Sequence, residues 1–156
     1  MPVTASHMIH VCVVCSDFDE SLDFYTRVLG ASVIGEGSSD EGPTFGASMG
    51  SPGARKWRGC FLAWGDRNRT SYIDLIQYLG AEAGERVHRN GNDAGLSRIA
   101  LRVPDLAKTL RELEDLGVPL AGPPTEFVAA GLGRRIAFIR DPDGTLIEFV
   151  ERFRLG

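Results

Sequence analysis

One short pattern is written twice in this chain, which confines the fold to two copies of one supersecondary unit. His10 opens an apolar run that meets Asp17 seven positions on, and Arg98 opens another that meets Asp105 at the same spacing. Each aspartate leads into a stretch of helical spacing that stops near a glycine, Gly30 in one copy and Gly117 in the other. Further on, Ile73-Asp74-Leu75-Ile76-Gln77 is echoed by Ile147-Glu148-Phe149-Val150-Glu151. Polar residues at matching places in a duplicated unit, His10, Asp74, Arg98 and Glu148, mark a candidate binding site built on pseudo-twofold symmetry.

The local signals agree with this reading. His10 to Cys15 is short, apolar and rich in valine, as a buried strand is. Asp17 is placed as a helix N-cap with Glu20 as its capping-box partner, followed by Phe18, Leu22, Tyr25 and Leu29 on one face. In the second copy a strand over Arg98 to Val103 ends at Pro104, Asp105 caps, and Leu106, Leu110 and Leu113 line the helix. Strands are then expected at Ser32–Gly35, Gly59–Trp64 and Ser71–Tyr78, and at Val118–Leu120, Arg135–Ile139 and Thr145–Phe153, with a turn at Asp141-Pro142-Asp143-Gly144. The expectation is one α+β domain over 1–156, with module one over about 8–80, a polar connector over about 81–95 and module two over about 96–153. The Gly-, Ser- and Pro-rich stretch Gly35 to Arg55 reads as a loop, conceivably a lid.

A chain of 156 residues suffices for one compact core. A formal charge of −4 and scattered arginines argue against nucleic acid as a partner. No signal-like start and no run of about 20 apolar residues is seen, so a cytoplasmic protein with no membrane partner is expected. Three cysteines exclude a complete disulfide framework. Cys12 and Cys15 lie three strand steps apart, roughly 10 Å, on opposite faces, too far for a bridge. They read as packed thiols.

Met8-Ile9-His10-Val11 through Asp17, with Ser21-Leu22-Asp23-Phe24-Tyr25 and Val28-Leu29-Gly30, resembles the opening of a vicinal oxygen chelate protein, the superfamily of glyoxalase I, methylmalonyl-CoA epimerase, extradiol dioxygenases and bleomycin-resistance proteins. Asp141 to Glu148 is similar to its closing motif. The resemblance implies two β-α-β-β-β modules whose mixed sheet curls into a cup, helices outside, around a divalent metal (Mg, Mn, Zn or Fe). It also implies a homodimer and a small-molecule ligand. Its metal ligands come from the first and last strands of each module. Carried over, they are His10, Asp74 and Glu148, which are equally the candidate catalytic acids and bases, and position 98.

Position 98 departs from the pattern, which has histidine where this chain has Gly95-Leu96-Ser97-Arg98-Ile99-Ala100. A guanidinium stays protonated and offers no lone pair to a metal. At about 5 Å from a divalent ion it would be repelled by roughly 6 to 7 kcal/mol at an effective dielectric of 20. Arg98 therefore weakens or abolishes metal binding unless it turns outward. Turned inward, it can pair with Glu148, Asp74 or both and bind an anionic or carbonyl-bearing ligand. A buried ion cluster without chemistry is the third alternative.

Two function classes follow. One is a lyase or isomerase moving a proton next to a carbonyl; the other is a metal-free protein that sequesters a drug or metabolite, as bleomycin-resistance proteins do. Trp57, Phe61 and Tyr72 are candidate substrate-binding residues, an aromatic lining for a flat ligand, with Trp64 a weaker one; core packing explains the same residues. His7 falls on the wrong face of its strand for a second ligand, and His88 reads as a solvated connector residue. Gly131-Leu132-Gly133-Arg134-Arg135 precedes a strand, not the helix that a phosphate-cradling loop needs.

Overall fold

A computed structural model of the chain describes residues 7–39, 56–66, 71–79, 95–129 and 131–154. The chain divides into two compact units, Met1–Glu85 and Arg86–Gly156. The lid-like stretch beyond Ser39, most of the connector and His88 lie outside the described residues.

The first unit runs β1 (His10–Val14), α1 (Phe18–Asp23), a π-helical turn (Phe24–Val28), β2 (Ser32–Ser39), β3 (Lys56–Ala63) and β4 (Tyr72–Leu79). Its sheet has the order β1-β4-β3-β2, parallel between β1 and β4 and antiparallel elsewhere. Asp17 caps α1 by accepting a 3.0 Å hydrogen bond from the Glu20 backbone N–H. The helix then widens: Thr26 Oγ1 donates to Leu22 O at 2.7 Å, an insertion into the backbone ladder of the kind that accompanies such turns. The widening alters the expected stripe, burying Ser21, Tyr25 and Leu29 while Leu22 is only half-buried. These residues lie among the core of the unit with Phe18, Val13, Cys15, Leu62, Ile73 and Leu75.

The second unit repeats the plan: β5 (Arg98–Arg102), α2 (Leu106–Asp115), β6 (Thr125–Ala129), β7 (Leu132–Arg140) and β8 (Leu146–Phe153), in the sheet order β5-β8-β7-β6. Asp105 accepts from the Lys108 backbone N–H at 2.9 Å, and the α2 N-terminus gains a second acceptor where Leu106 N donates to Glu151 Oε2. Leu106 and Leu113 are buried with Ala137, Ile139, Ile147 and Phe149. Each fully buried aliphatic or aromatic side chain contributes about 1.5–3 kcal/mol.

Three expectations are corrected. Val118–Leu120 is not a strand; β6 begins at Thr125, because Pro119 cannot donate to a ladder and the Val118 N–H closes the helix on Leu113 O. β2 continues to Ser39, beyond the expected Gly35, after an irregularity between Val33 and Gly35. Cys12 is exposed rather than packed, while Cys15 and Cys60 are buried, and all three are free thiols.

Candidate functional site

Strand register decides which side chains can work together. In the first sheet His10 is opposite Tyr72, Cys12 opposite Asp74, and Phe61 opposite Asp74 from the other side, so His10, Tyr72, Asp74 and Phe61 share one face. Val13, Ile73, Leu75 and Leu62 occupy the other face, in the core. The functional face is thus what remains once alternation has committed every second residue to packing.

On that face His10 Nε2 stands 3.9 Å from Asp74 Oδ2, with the two side chains 40% and 24% exposed. The distance is long for a hydrogen bond and short for charge interaction. Burial pushes the Asp74 carboxyl above the ordinary aspartate range, and His10 opposes that shift. Tyr72 and Phe61 flank the imidazole at ring separations of 5.5 and 6.3 Å and meet each other edge-on at 5.0 Å. Trp57 lies opposite Tyr78, four residues along β3 from Phe61, so it shares their face without joining their cluster. Cys12 is no ready nucleophile: desolvation, then the Asp74 charge, push its thiol up to about 11.

In the second sheet Ala100 is opposite Glu148, which places Arg98 and Glu148 on one face. Arg98 Nε donates to Glu148 Oε2 at 2.6 Å, a short charge-assisted bond to a carboxylate that is only 11% exposed. Phe138, across β8 from Glu148, lies 5.9 Å beneath the guanidinium carbon and braces it. Phe138 was not singled out from sequence. Its signal was available in the alternation of β7, where it shares parity with Ile136, but only the β7–β8 register shows that it faces Glu148.

The structure therefore pairs His10 with Asp74 and Arg98 with Glu148, each pair within its own unit. Neither unit by itself assembles a divalent-metal ligand set from its described residues. Within either unit no three His, Cys, Asp or Glu side chains gather among the described residues, and the one acid of the second pair already holds a guanidinium.

A model of the Glyoxalase/Bleomycin resistance protein/Dioxygenase superfamily matches residues 7–149, nearly the whole repeat. The chain belongs to this superfamily. Its relatives within the superfamily include a lactoylglutathione lyase of Pseudomonas aeruginosa, 30% identical over 152 residues that cover 91% of this chain and 80% of the relative. A probable lactoylglutathione lyase of Vibrio cholerae is 28% identical over 144 residues, covering 92% and 89%. Among solved structures, a glyoxalase family protein from Bacillus cereus superposes with a TM-score of 0.77 at 21% identity, covering 97% of both chains. Glyoxalase I of Leishmania major gives 0.65 at 22% identity, covering 94% and 87%. These likenesses establish the glyoxalase-like fold. Members of the superfamily commonly use a divalent metal. No helix among the described residues is long and apolar enough to cross a membrane.

Proposed function

We propose that this chain is a lyase- or isomerase-type enzyme that moves a proton next to a carbonyl in a small, oxygen-rich molecule, with Arg98 in place of a metal-ligating histidine. The observation that carries the reading is the 2.6 Å bond between Arg98 Nε and Glu148 Oε2. It converts a position of metal chemistry into a fixed cation with Glu148 holding its plane. Such a guanidinium binds a carbonyl oxygen, or the negative charge that grows on it when the neighbouring carbon loses a proton.

His10 and Asp74 are the proton-moving pair of the first unit. A carboxylate whose pKa is raised is a stronger base than a solvated aspartate, and the exposed imidazole beside it can accept or return a proton. The family resemblance supports the placing of both. Lactoylglutathione, the compound in the relatives' names, is the first substrate to try. The test is proton exchange in deuterated water, followed by NMR, across lactoylglutathione and a panel of small hydroxy and oxo acids and their thioesters. Exchange at the carbon beside the carbonyl is expected, with loss of about 100-fold or more in His10→Gln or Asp74→Asn. No exchange with any compound rules the reading out.

The aromatic cluster favours a second reading, a sequestering protein of the bleomycin-resistance kind. Phe61 is 38% exposed beside Tyr72 and His10 and offers a ring face to a flat ligand. Calorimetry against glycopeptide and planar drugs separates the two: tight binding without exchange selects the binder.

A further inference from the structure

Phe61 and Phe138 hold equivalent places in the two units, opposite Asp74 in one sheet and opposite Glu148 in the other. Their surroundings differ. Phe138 is half-buried, with the Arg98 guanidinium carbon 5.9 Å from its ring centroid. Among the described residues no cation stands over Phe61, which is 38% exposed.

The Phe61 ring is nevertheless seated. A Cβ added at Gly35, its partner across the β2–β3 ladder, would stand 3.3 Å from Phe61 Cδ2, so one edge of the ring lies against bare backbone. Tyr72 meets the ring edge-on at 5.0 Å, and the His10 ring, inclined to it by 29°, stands 6.3 Å from Phe61 and 5.5 Å from Tyr72. Three rings thus meet at one corner, beside the carboxylate whose Oδ2 is 3.9 Å from His10 Nε2. A ring already held in place binds another ring at little ordering cost, and stacked or edge-on contact adds to what the covered area supplies.

Register ties this corner to the proton-moving groups. Directly opposed residues of an antiparallel pair have Cβ atoms about 4.5–5.5 Å apart, so one small molecule can touch both Phe61 and Asp74. A ring packed on Phe61 then lies within one or two bonds of a carbon that Asp74 or His10 can deprotonate. A methyl group in its place would leave most of the Phe61 ring uncovered.

We propose that the substrate of the His10–Asp74 face is an aryl-substituted carbonyl compound, its ring carried on the reacting carbon or one atom from it, with Phe61 as the residue that selects it; this class rests on the proton-transfer reading proposed above.

The test uses the full chain. Calorimetry with mandelate, lactate and hexahydromandelate, equal in charge, is expected to show mandelate bound about tenfold or more tighter than lactate, and about threefold or more tighter than hexahydromandelate, which carries a saturated ring. In Phe61→Leu, which keeps an apolar side chain, mandelate and lactate differ by less than about threefold. Proton exchange in deuterated water, corrected for the uncatalysed rates, favours mandeloylglutathione over lactoylglutathione in the same way. The proposal is overturned by mandelate binding no tighter than lactate or hexahydromandelate, or by an undiminished preference in Phe61→Leu. Equal exchange of the two thioesters also overturns it and leaves the proton-transfer reading intact. Aryl-selective binding without exchange of either thioester supports the aryl class and removes that reading instead.

Discussion

Arg98 Nε and Glu148 Oε2 are joined by a 2.6 Å hydrogen bond, in which a half-exposed guanidinium neutralises a carboxylate that the sheet has almost closed off from water. The pair sets the charge of this face, because the carboxylate is held in an ion pair with the guanidinium beside it. One Glu148 oxygen accepts this bond, and the guanidinium's fixed positive charge stands beside the remaining lone pairs.

Breaking this pair from one side leaves a buried charge uncompensated. Arg98→Leu is expected to cost about 1–3 kcal/mol in urea unfolding, below the range for fully buried pairs because Arg98 itself is half in water. The double variant Arg98→Leu/Glu148→Leu recovers most of that loss. A double variant less stable than either single one contradicts the pairing.

The raised pKa of Asp74 fixes the sign of a pH effect. The folded state holds this proton more tightly than the unfolded chain, so the group's contribution to stability falls as pH rises from about the ordinary value of 3.8 through the folded value, then levels off. Asp74→Asn removes that loss. Its stability relative to the natural chain is therefore expected to improve from pH 3 to pH 7, as read by denaturant unfolding at each pH; a relative decline over that span contradicts the desolvation argument.

Gly59 sits where β3 and β4 approach too closely for a side chain, since a Cβ there would stand 2.6 Å from the Leu75 carbonyl oxygen. Backbone cannot yield as a flexible side chain does. Gly59→Ala is expected to lower stability by about 1–3 kcal/mol, with Gly30→Ala, a left-handed position in open space, costing through strain rather than through a clash. Equal stability of Gly59→Ala and the natural chain would show that the two strands separate freely.

Asp17 and Asp105 occupy equivalent places in the two units and each satisfies one helix N–H. Replacement of either by Ala is expected to cost about 1 kcal/mol in thermal or urea unfolding, with Asn nearly harmless. A much smaller loss at Asp105 would mean that Glu151, which also accepts from this helix start, suffices alone.

Much of this fold was legible in the sequence because its signals are local. The caps at Asp17 and Asp105 and the stops at Gly30 and Gly117 follow from the chemistry of one or two residues, and the alternation of β1 and β4 places His10 and Asp74 on their faces. Non-local effects were harder to read. The π-helical turn over Phe24–Val28 carries no short motif of its own, β6 shifted because Pro119 disqualified the apolar Val118–Leu120, and β2 extended through glycines that pattern alone marks as loop. The sequence leaves open whether Arg98 pairs with Glu148, Asp74 or both; its pairing with Glu148 and the approach of Phe138 depend on the register of three strands.

The proposed function places Arg98 where a metal ligand would stand and so predicts that Glu148 is disfavoured for metal binding. Its most direct measurement is the affinity for Zn²⁺ and Mn²⁺ of the natural chain and of Arg98→His, titrated by calorimetry after chelator treatment. The account predicts weak or no binding by the natural chain and a gain of at least about tenfold in Arg98→His, as a neutral donor replaces a cation and frees the Glu148 carboxylate. Tight binding by the natural chain, or no gain in Arg98→His, contradicts it.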